Sequence, residues 1–315
     1  MANCDKIFRE FNKELNVPES KQNKLVASKE FARQTIRDNF KTNHPTYNPT
    51  FYTQGSSIMG TMIRTKDDTC DLDDGVYFKS NPQNVSCTTL QGWIKSAVDG
   101  ITDTTPSHRK KCITLDYKAG YNIDFPVLLF DKAKDDHPML AVKNGNFILD
   151  DPKEFVDHFK SISSAQLIRI IRYLKAWCDF KREKMPNGLV MTVLSMNHIQ
   201  ENTRDDVSLK FTLIEIEKEL KPQFTCIMPT TPKDDLLGDY DEARKNNFMK
   251  NLADFIVDAK KAVDEEKNQL VASRLWQKHL GKTYFPDGED KNEPTVNPEK
   301  LNSTIGNAKP FCNGI

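Results

Sequence analysis

The sequence predicts an α+β protein of two lobes: a mixed β-sheet core entered by a long N-terminal spine helix, and an all-helical C-terminal lobe. Three observations carry that expectation. Strand-like runs are confined to the stretch between residues 51 and 130, helical periodicity dominates on both sides of it, and acidic residues stand inside the strands. A cleft between two such lobes is a natural place for a small ligand.

The N-terminal part is helical. Residues 3–15 place Ile7, Phe8, Phe11 and Leu15 at helical spacing, and the Val17-Pro18 step ends the run. A longer pattern follows Ser20, with Leu25, Ala32, Ile36 and Phe40 on one face, and stops near Asn43-His44-Pro45. It is long enough to act as a spine between lobes.

Residues 51–56 and 70–80 read as strands around a short helical turn, and Leu90, Trp93, Ile94 and Val98 suggest a helix after them. Two β-rich runs, 109–117 and 121–130, are separated by Lys118-Ala119-Gly120, which signals a hairpin. Asp151-Pro152 supplies an N-cap and a first-turn proline for a helix that turns Phe155, Val156 and Phe159 inward.

Ser163 and Gln166 have capping-box spacing ahead of the strongest helical pattern in the chain, residues 167–177. Further helices are expected at 188–200, 206–220, 239–265 and 268–280, the last closed by Gly281. Pro222, Pro229, Pro232 and Gly238 make 221–238 a loop, and from Pro286 the composition suggests an extended tail. The expected divisions are a sheet lobe with its N-terminal helices over 1–160, a helical lobe over 161–285 and a tail over 286–315.

Composition narrows the function classes. Lysine plus arginine and aspartate plus glutamate both total 45, so the overall field offers no strong attraction to long polyanions or anionic membranes. Seven scattered cysteines include no C-x-x-C pair and no Cys/His cluster, which argues for reduced thiols and against structural zinc. No apolar run is long enough to span a bilayer, and Met1-Ala2-Asn3-Cys4-Asp5 lacks the form of a signal peptide. The expected setting is cytoplasmic, with no membrane partner.

The chemistry is concentrated between Gln54 and Phe78. Gly55 and Ser56 follow the aromatic run Phe51-Tyr52, where backbone N–H groups and a hydroxyl at the start of a helical turn suit a phosphate. Asp71 and Asp73 are two apart in a run that continues into Val76-Tyr77-Phe78, so as strand residues they share a face. Two hard oxygen donors side by side suit Mg²⁺ holding a nucleotide's phosphates. Acidic runs such as Asp67 to Asp74 are usually solvated loops, but a loop is not expected to continue straight into apolar strand residues.

Asp124 stands in the apolar strand 121–130, where an unpaired carboxylate is costly. It either completes a three-acid metal site or caps a turn and pairs with Arg109 or a lysine, and spacing alone favours neither. Arg169, Arg172 and Lys175 recur every three residues on the polar side of the 167–177 helix. Taken alone such a stripe is a solvated face, and only an adjacent phosphate site changes that reading.

Gly55-Ser56, then Asp71-Leu72-Asp73, then Asp124 within Asn122-Ile123-Asp124-Phe125-Pro126, in that order and with those strand contexts, resemble the signature of polymerase-β-type nucleotidyltransferases. Asp71 to Tyr77, the Arg172-Tyr173-Leu174-Lys175-Ala176-Trp177 helix, and Trp276 with Gly281 to Pro286 resemble more particularly the bacterial cGAS/DncV-like cyclic-oligonucleotide synthases of anti-phage defence. The resemblance runs from about residue 5 to residue 286.

It implies a template-independent enzyme joining ATP, GTP or other NTPs, at least one a purine, into a cyclic di- or trinucleotide read by a separate effector. Asp71, Asp73 and Asp124 would hold two Mg²⁺ (or Mn²⁺) ions, and Gln54, Gly55, Ser56, Lys175 and Asn187 would line the nucleotide site. The zinc insertion by which the animal DNA sensor docks on duplex DNA is missing, so no DNA requirement is expected. In relatives a flexible carboxyl terminus is attached to other proteins by a conjugating partner; this chain ends Phe311-Cys312-Asn313-Gly314-Ile315. The competing expectations are a catalytically silent nucleotide-binding module and an enzyme making linear oligonucleotides or RNA ends.

Overall fold

In the computed structural model, residues 1–292 are described. The C-terminal pentapeptide, and with it any tail conjugation, lies outside them. Two apolar cores organise the rest. One is built on the sheet and the other on helices, and the candidate site lies where they meet.

The sheet core begins with α2 (Glu19–Asn43), whose Leu25, Ala32, Ile36 and Phe40 are all buried, as their spacing foretold. Strand β1 (Thr50–Gln54) runs directly into the short helix α3 (Gly55–Met59), so the expected strand over 51–56 ends two residues early. Gly55 is the reason: its φ of 67° is a left-handed conformation that glycine reaches without penalty and that breaks the extended chain.

Strand β2 (Cys70–Phe78) pairs antiparallel with β1. After α4 (Cys87–Val98) come β3 (Ser107–His108), β4 (Cys112–Tyr117) and β5 (Tyr121–Leu129). Strand β5 lies beside β2 in parallel and beside β4 antiparallel, giving the order β1-β2-β5-β4-β3. The β4–β5 turn is the expected hairpin, with Gly120 at φ 80°. Short strands β6 (Met139–Ala141) and β7 (Phe147–Leu149) extend the sheet from the end of β5.

Strand parity sorts the β2 side chains. Leu72, Val76 and Phe78 are buried in the core shared with α2 and α4, each contributing roughly 1.5–3 kcal/mol. Asp71 and Asp73 fall on the other face. Asp74 points with the apolar set and is fully buried; it survives there because Arg33 of α2 donates to it from Nε at 2.7 Å and Thr53 donates from Oγ1 at 3.0 Å.

The second core packs α5 (Pro152–Ile162), α6 (Ala165–Lys181), α7 (Gly188–His198), α8 (Asp205–Leu220), α9 (Glu242–Lys260) and α10 (Gln269–Leu280). A π-helical turn, Lys261–Glu265, extends α9. Helix α1 (Asp5–Glu14) also belongs here: Phe8 packs edge-on against Tyr173, Trp276 and Phe285. The sequence division at residue 160 put α1 and α5 with the sheet, yet the apolar faces of both are buried in the helical core.

Two local expectations are corrected. The N-cap of α6 is Ser164, which accepts from Leu167 N at 3.0 Å, while Ser163 stays outside the helix and Gln166 bonds to Asn202 and Asp205. Residues 286–292 do not leave the body as an extended tail: Gly288 N donates to Ser273 Oγ, and Gln269 N and Leu270 N donate to Lys291 O and Glu289 O along the start of α10.

Candidate active site

A cleft of about 670 Å³ opens between the face of β1 and β2 and the helices α3, α5, α6 and α7. Gln54, Gly55, Ser56, Asp71, Asp73, Lys175 and Asn187 all line it, so seven of the eight residues singled out from the sequence share one cavity. Asp124 is the exception. It sits one strand further in, directly opposite Asp73 in the parallel β2–β5 register, and so on the same sheet face.

The two open readings of Asp124 can now be weighed. Thr114, its antiparallel neighbour on β4, donates from Oγ1 to Asp124 Oδ1. Arg109 acts on it only through charge. Asp124 therefore caps no turn and forms no ion pair with Arg109. Burial raises its pKa, Asp71 adds to the rise, and Thr114 and Arg109 oppose it.

The acids feel one another strongly. Burial first, then the charges of Asp71 and Asp124, push Asp73 up to about 7, with Lys175 pulling the other way. Lys175 is pushed down to about 8 by burial, against the pull of Asp71 and Asp73. A donor set of three carboxylates that resist sharing negative charge suits a divalent cation.

Their donor atoms are nevertheless not gathered as closely as those of a finished metal cluster. Among the described residues, the trio of potential ligands whose donors all lie within 4.8 Å of one another is a different one, His137, Asp151 and Glu154.

Lys175 reaches the cleft because of its place on α6. Its Nζ donates to Thr61 O at 3.3 Å and to Thr61 Oγ1 at 3.2 Å, just past the end of α3. The first residue of α7 makes room for it: a Cβ on Gly188 would lie 3.1 Å from Lys175 Cε. The rest of the basic stripe is neither solvated nor in the cleft. Arg169 pairs with Asp205, and Arg172, only 6 % exposed, donates to Asn12 O and Asn16 Oδ1.

Asn187 is the N-cap of α7, and its Oδ1 accepts from Leu189 N and Val190 N, so its amide NH₂ is what it can offer a ligand. Gln54 accepts at Oε1 from Tyr77 OH at 3.3 Å, which fixes its orientation on the cleft wall. Sequence reasoning missed Asp150, Asp179, Arg182 and Met228 in the cavity lining. No motif marks them; they arrive from loops and helix ends that only the tertiary fold brings together.

A family model described as "Cyclic GMP-AMP synthase DncV-like, nucleotidyltransferase domain" matches residues 49–128, the stretch that contains Gly55, Ser56 and all three acids. A cyclic GMP-AMP synthase from Escherichia albertii is 26 % identical over 221 residues, covering 64 % of this chain and 47 % of that protein. The matched stretch thus spans about half the length of that curated relative.

The fold is similar to that of Vibrio cholerae DncV cyclic AMP-GMP synthase, with a TM-score of 0.79 at 16 % identity over 91 % of this chain and 98 % of that one. Escherichia coli DncV, solved with 3′-deoxy GTP bound, gives a TM-score of 0.73 at 17 % identity over 87 % of this chain and 94 % of that one. Residues 49–128 thus match a DncV-like nucleotidyltransferase domain, and the fold around them is similar to that of the DncV synthases.

Proposed function

We propose that the chain is a metal-dependent, template-independent nucleotidyltransferase that condenses NTPs, at least one a purine, into a cyclic di- or trinucleotide with release of pyrophosphate. The observation that carries this reading is the meeting of Asp71 and Asp73 with Lys175 and the Gly55-Ser56 corner across one cleft. The Vibrio cholerae relative has also been solved with the linear intermediate pppA(3′,5′)pG, the species a two-round reaction passes through.

Asp71 and Asp73 fit as ligands for Mg²⁺ or Mn²⁺, with Asp124 completing the set from β5. Two such ions would neutralise charge on the attacking and leaving oxygens. Gly55 N–H and the Ser56 hydroxyl hold the donor triphosphate, and Lys175 adds a cation to it from the opposite wall. Asp124, its carboxylate oriented by Thr114, positions the attacking ribose hydroxyl. That oxygen bonds to the α-phosphorus as the bond to the bridging oxygen breaks and pyrophosphate leaves. A second round on the linear product closes the ring.

The wider setting belongs to the same proposal: a cytoplasmic enzyme of anti-phage defence, its product read by a separate effector, with no DNA trigger. No helix among the described residues is long and apolar enough to cross a membrane.

Incubation with labelled ATP, GTP, CTP and UTP and Mg²⁺ or Mn²⁺, followed by phosphatase and mass spectrometry, tests it. The expected product resists phosphatase and disappears in Asp73→Asn. Linear products would move the chain to a different branch of nucleotidyltransferases, and no product with retained nucleotide binding would make it a silent binding module.

A further inference from the structure

The geometry points to a second divalent-cation site, of the zinc class, formed by His137, Asp151 and Glu154 away from the aspartates of the cleft. His137 lies on the β5–β6 connection, Asp151 is the N-cap of α5 and Glu154 is in its first turn. Nothing in the proposed reaction uses any of the three.

The donors are spaced as ligands. His137 Nδ1 is 3.0 Å from Asp151 Oδ2 and 3.8 Å from Glu154 Oε2, and all three donor atoms lie within 4.8 Å of one another. Ligands at about 2.1 Å around a tetrahedral ion are about 3.4 Å apart, between those two separations. A simple ion pair accounts for less. One imidazole N–H serves Asp151, while Glu154 Oε2, which accepts from Thr231 N, faces the same nitrogen at 3.8 Å, beyond hydrogen-bond reach.

Each ligand is also held from behind, as metal ligands commonly are. The far nitrogen of His137, Nε2, lies 3.3 Å from Thr231 Oγ1, which can accept its proton once a cation replaces the proton on Nδ1. Asp151 Oδ1 accepts from Glu154 N at 3.0 Å, which turns Oδ2 toward His137. Glu154 Oε2 accepts from Thr231 N at 3.0 Å.

Two carboxylates and a neutral imidazole carry two negative charges, which a dication cancels. Side-chain exposures of 35 % for His137, 13 % for Asp151 and 39 % for Glu154 leave a path in and a fourth position for water. A cation there ties the β5–β6 connection to α5 and, through the Glu154–Thr231 bond, to the 221–241 segment whose Met228 lines the cleft. The expected role is a staple beside the active site.

The test uses the Asp71→Asn/Asp73→Asn double variant, which removes the main competing ligands, stripped with a chelator and titrated calorimetrically with Zn²⁺. One ion per chain is expected, with a rise in Tm, and affinity should fall at least tenfold when His137→Ala or Glu154→Gln is added. Absence of Zn²⁺ binding in the double variant, or binding untouched by those changes, overturns the site. Anomalous scattering from zinc-soaked wild-type crystals decides independently of any variant. A peak among the three donors supports the proposal, and peaks only elsewhere refute it.

Discussion

A Cβ built on Gly55 would lie 2.3 Å from Oδ2 of Asp73, so the corner after β1 and the second acid of β2 are packed to the limit of a glycine. The same residue has φ 67°, where any side chain is strained. Gly55→Ala is therefore expected to push the Asp73 carboxylate aside while costing about 1 kcal/mol in backbone strain. Displacement of a catalytic group by an ångström is worth about a hundredfold in rate. Turnover should fall by at least that factor with Tm lowered by only a few degrees; near-normal activity would show that Asp73 has no need of its observed position.

Lys175 offers a separate test, because its proposed role is to hold phosphate. Its Nζ sits near Thr61 and within the field of Asp71 and Asp73. A hydrogen bond to a charged group is worth about 1.5–3 kcal/mol, or roughly 10- to 150-fold in affinity. Lys175→Gln should raise the KM for NTPs by a factor in that range and lower kcat far less. The contrary split, with kcat falling and KM unchanged, would place Lys175 on the reacting atoms instead.

Asp71, Asp73, Gly55 and Ser56 were legible in the sequence because strand parity and a glycine-serine corner are local properties, settled within a few residues. Asp124 was visible as an anomaly, an acid in an apolar run, but its partner was not: Thr114 is ten residues away and becomes a neighbour only through the β4–β5 register. Periodicity correctly grouped Arg169, Arg172 and Lys175 on one stripe, yet it could not say what would cover each part. Asp205, Asn12 and the cleft come from three different segments. The same limit applies to α1, whose amphipathic pattern demanded burial without naming Tyr173 and Trp276 as the surface that provides it.

The Arg169–Asp205 pair centres a buried electrostatic cluster of the helical core. Asp205, with no exposed side-chain surface, accepts from Arg169 Nε at 2.6 Å, Gln166 Nε2 at 2.8 Å and Tyr173 OH at 2.9 Å. Removing one partner of a buried pair strands the other charge and costs about 3–5 kcal/mol. Asp205→Ala should lower the urea midpoint by that much stability at unchanged m-value, while Arg169→Met/Asp205→Leu should recover a substantial part of it. A loss below about 1 kcal/mol would mean that Arg169, Gln166 and Tyr173 relax onto other acceptors.

His279 contributes to the expected response to acid. Its ring is 3 % exposed and stacks on Phe255 with centroids 4.4 Å apart, and Nε2 donates to Asp258 Oδ2 at 2.9 Å. The other nitrogen, Nδ1, is buried with no hydrogen-bond partner among the described residues, so a second proton would be added where none of them accepts it. Burial lowers the pKa of His279 below its ordinary 6.5, and Lys181 and Lys278 add to that against the pull of Asp258. A histidine with a depressed folded pKa binds its proton more readily when unfolded, so the contribution of His279 to stability is flat above pH 6.5 and declines as pH falls below it, until the folded pKa is passed. One proton allows a slope of up to about 1.4 kcal/mol per pH unit in that window. Unfolding of wild type and His279→Gln, each measured at pH 7.5 and 5.5, isolates this group from the other histidines. The variant should lose less stability than the wild type between the two values, and equal losses would place the acid sensitivity elsewhere.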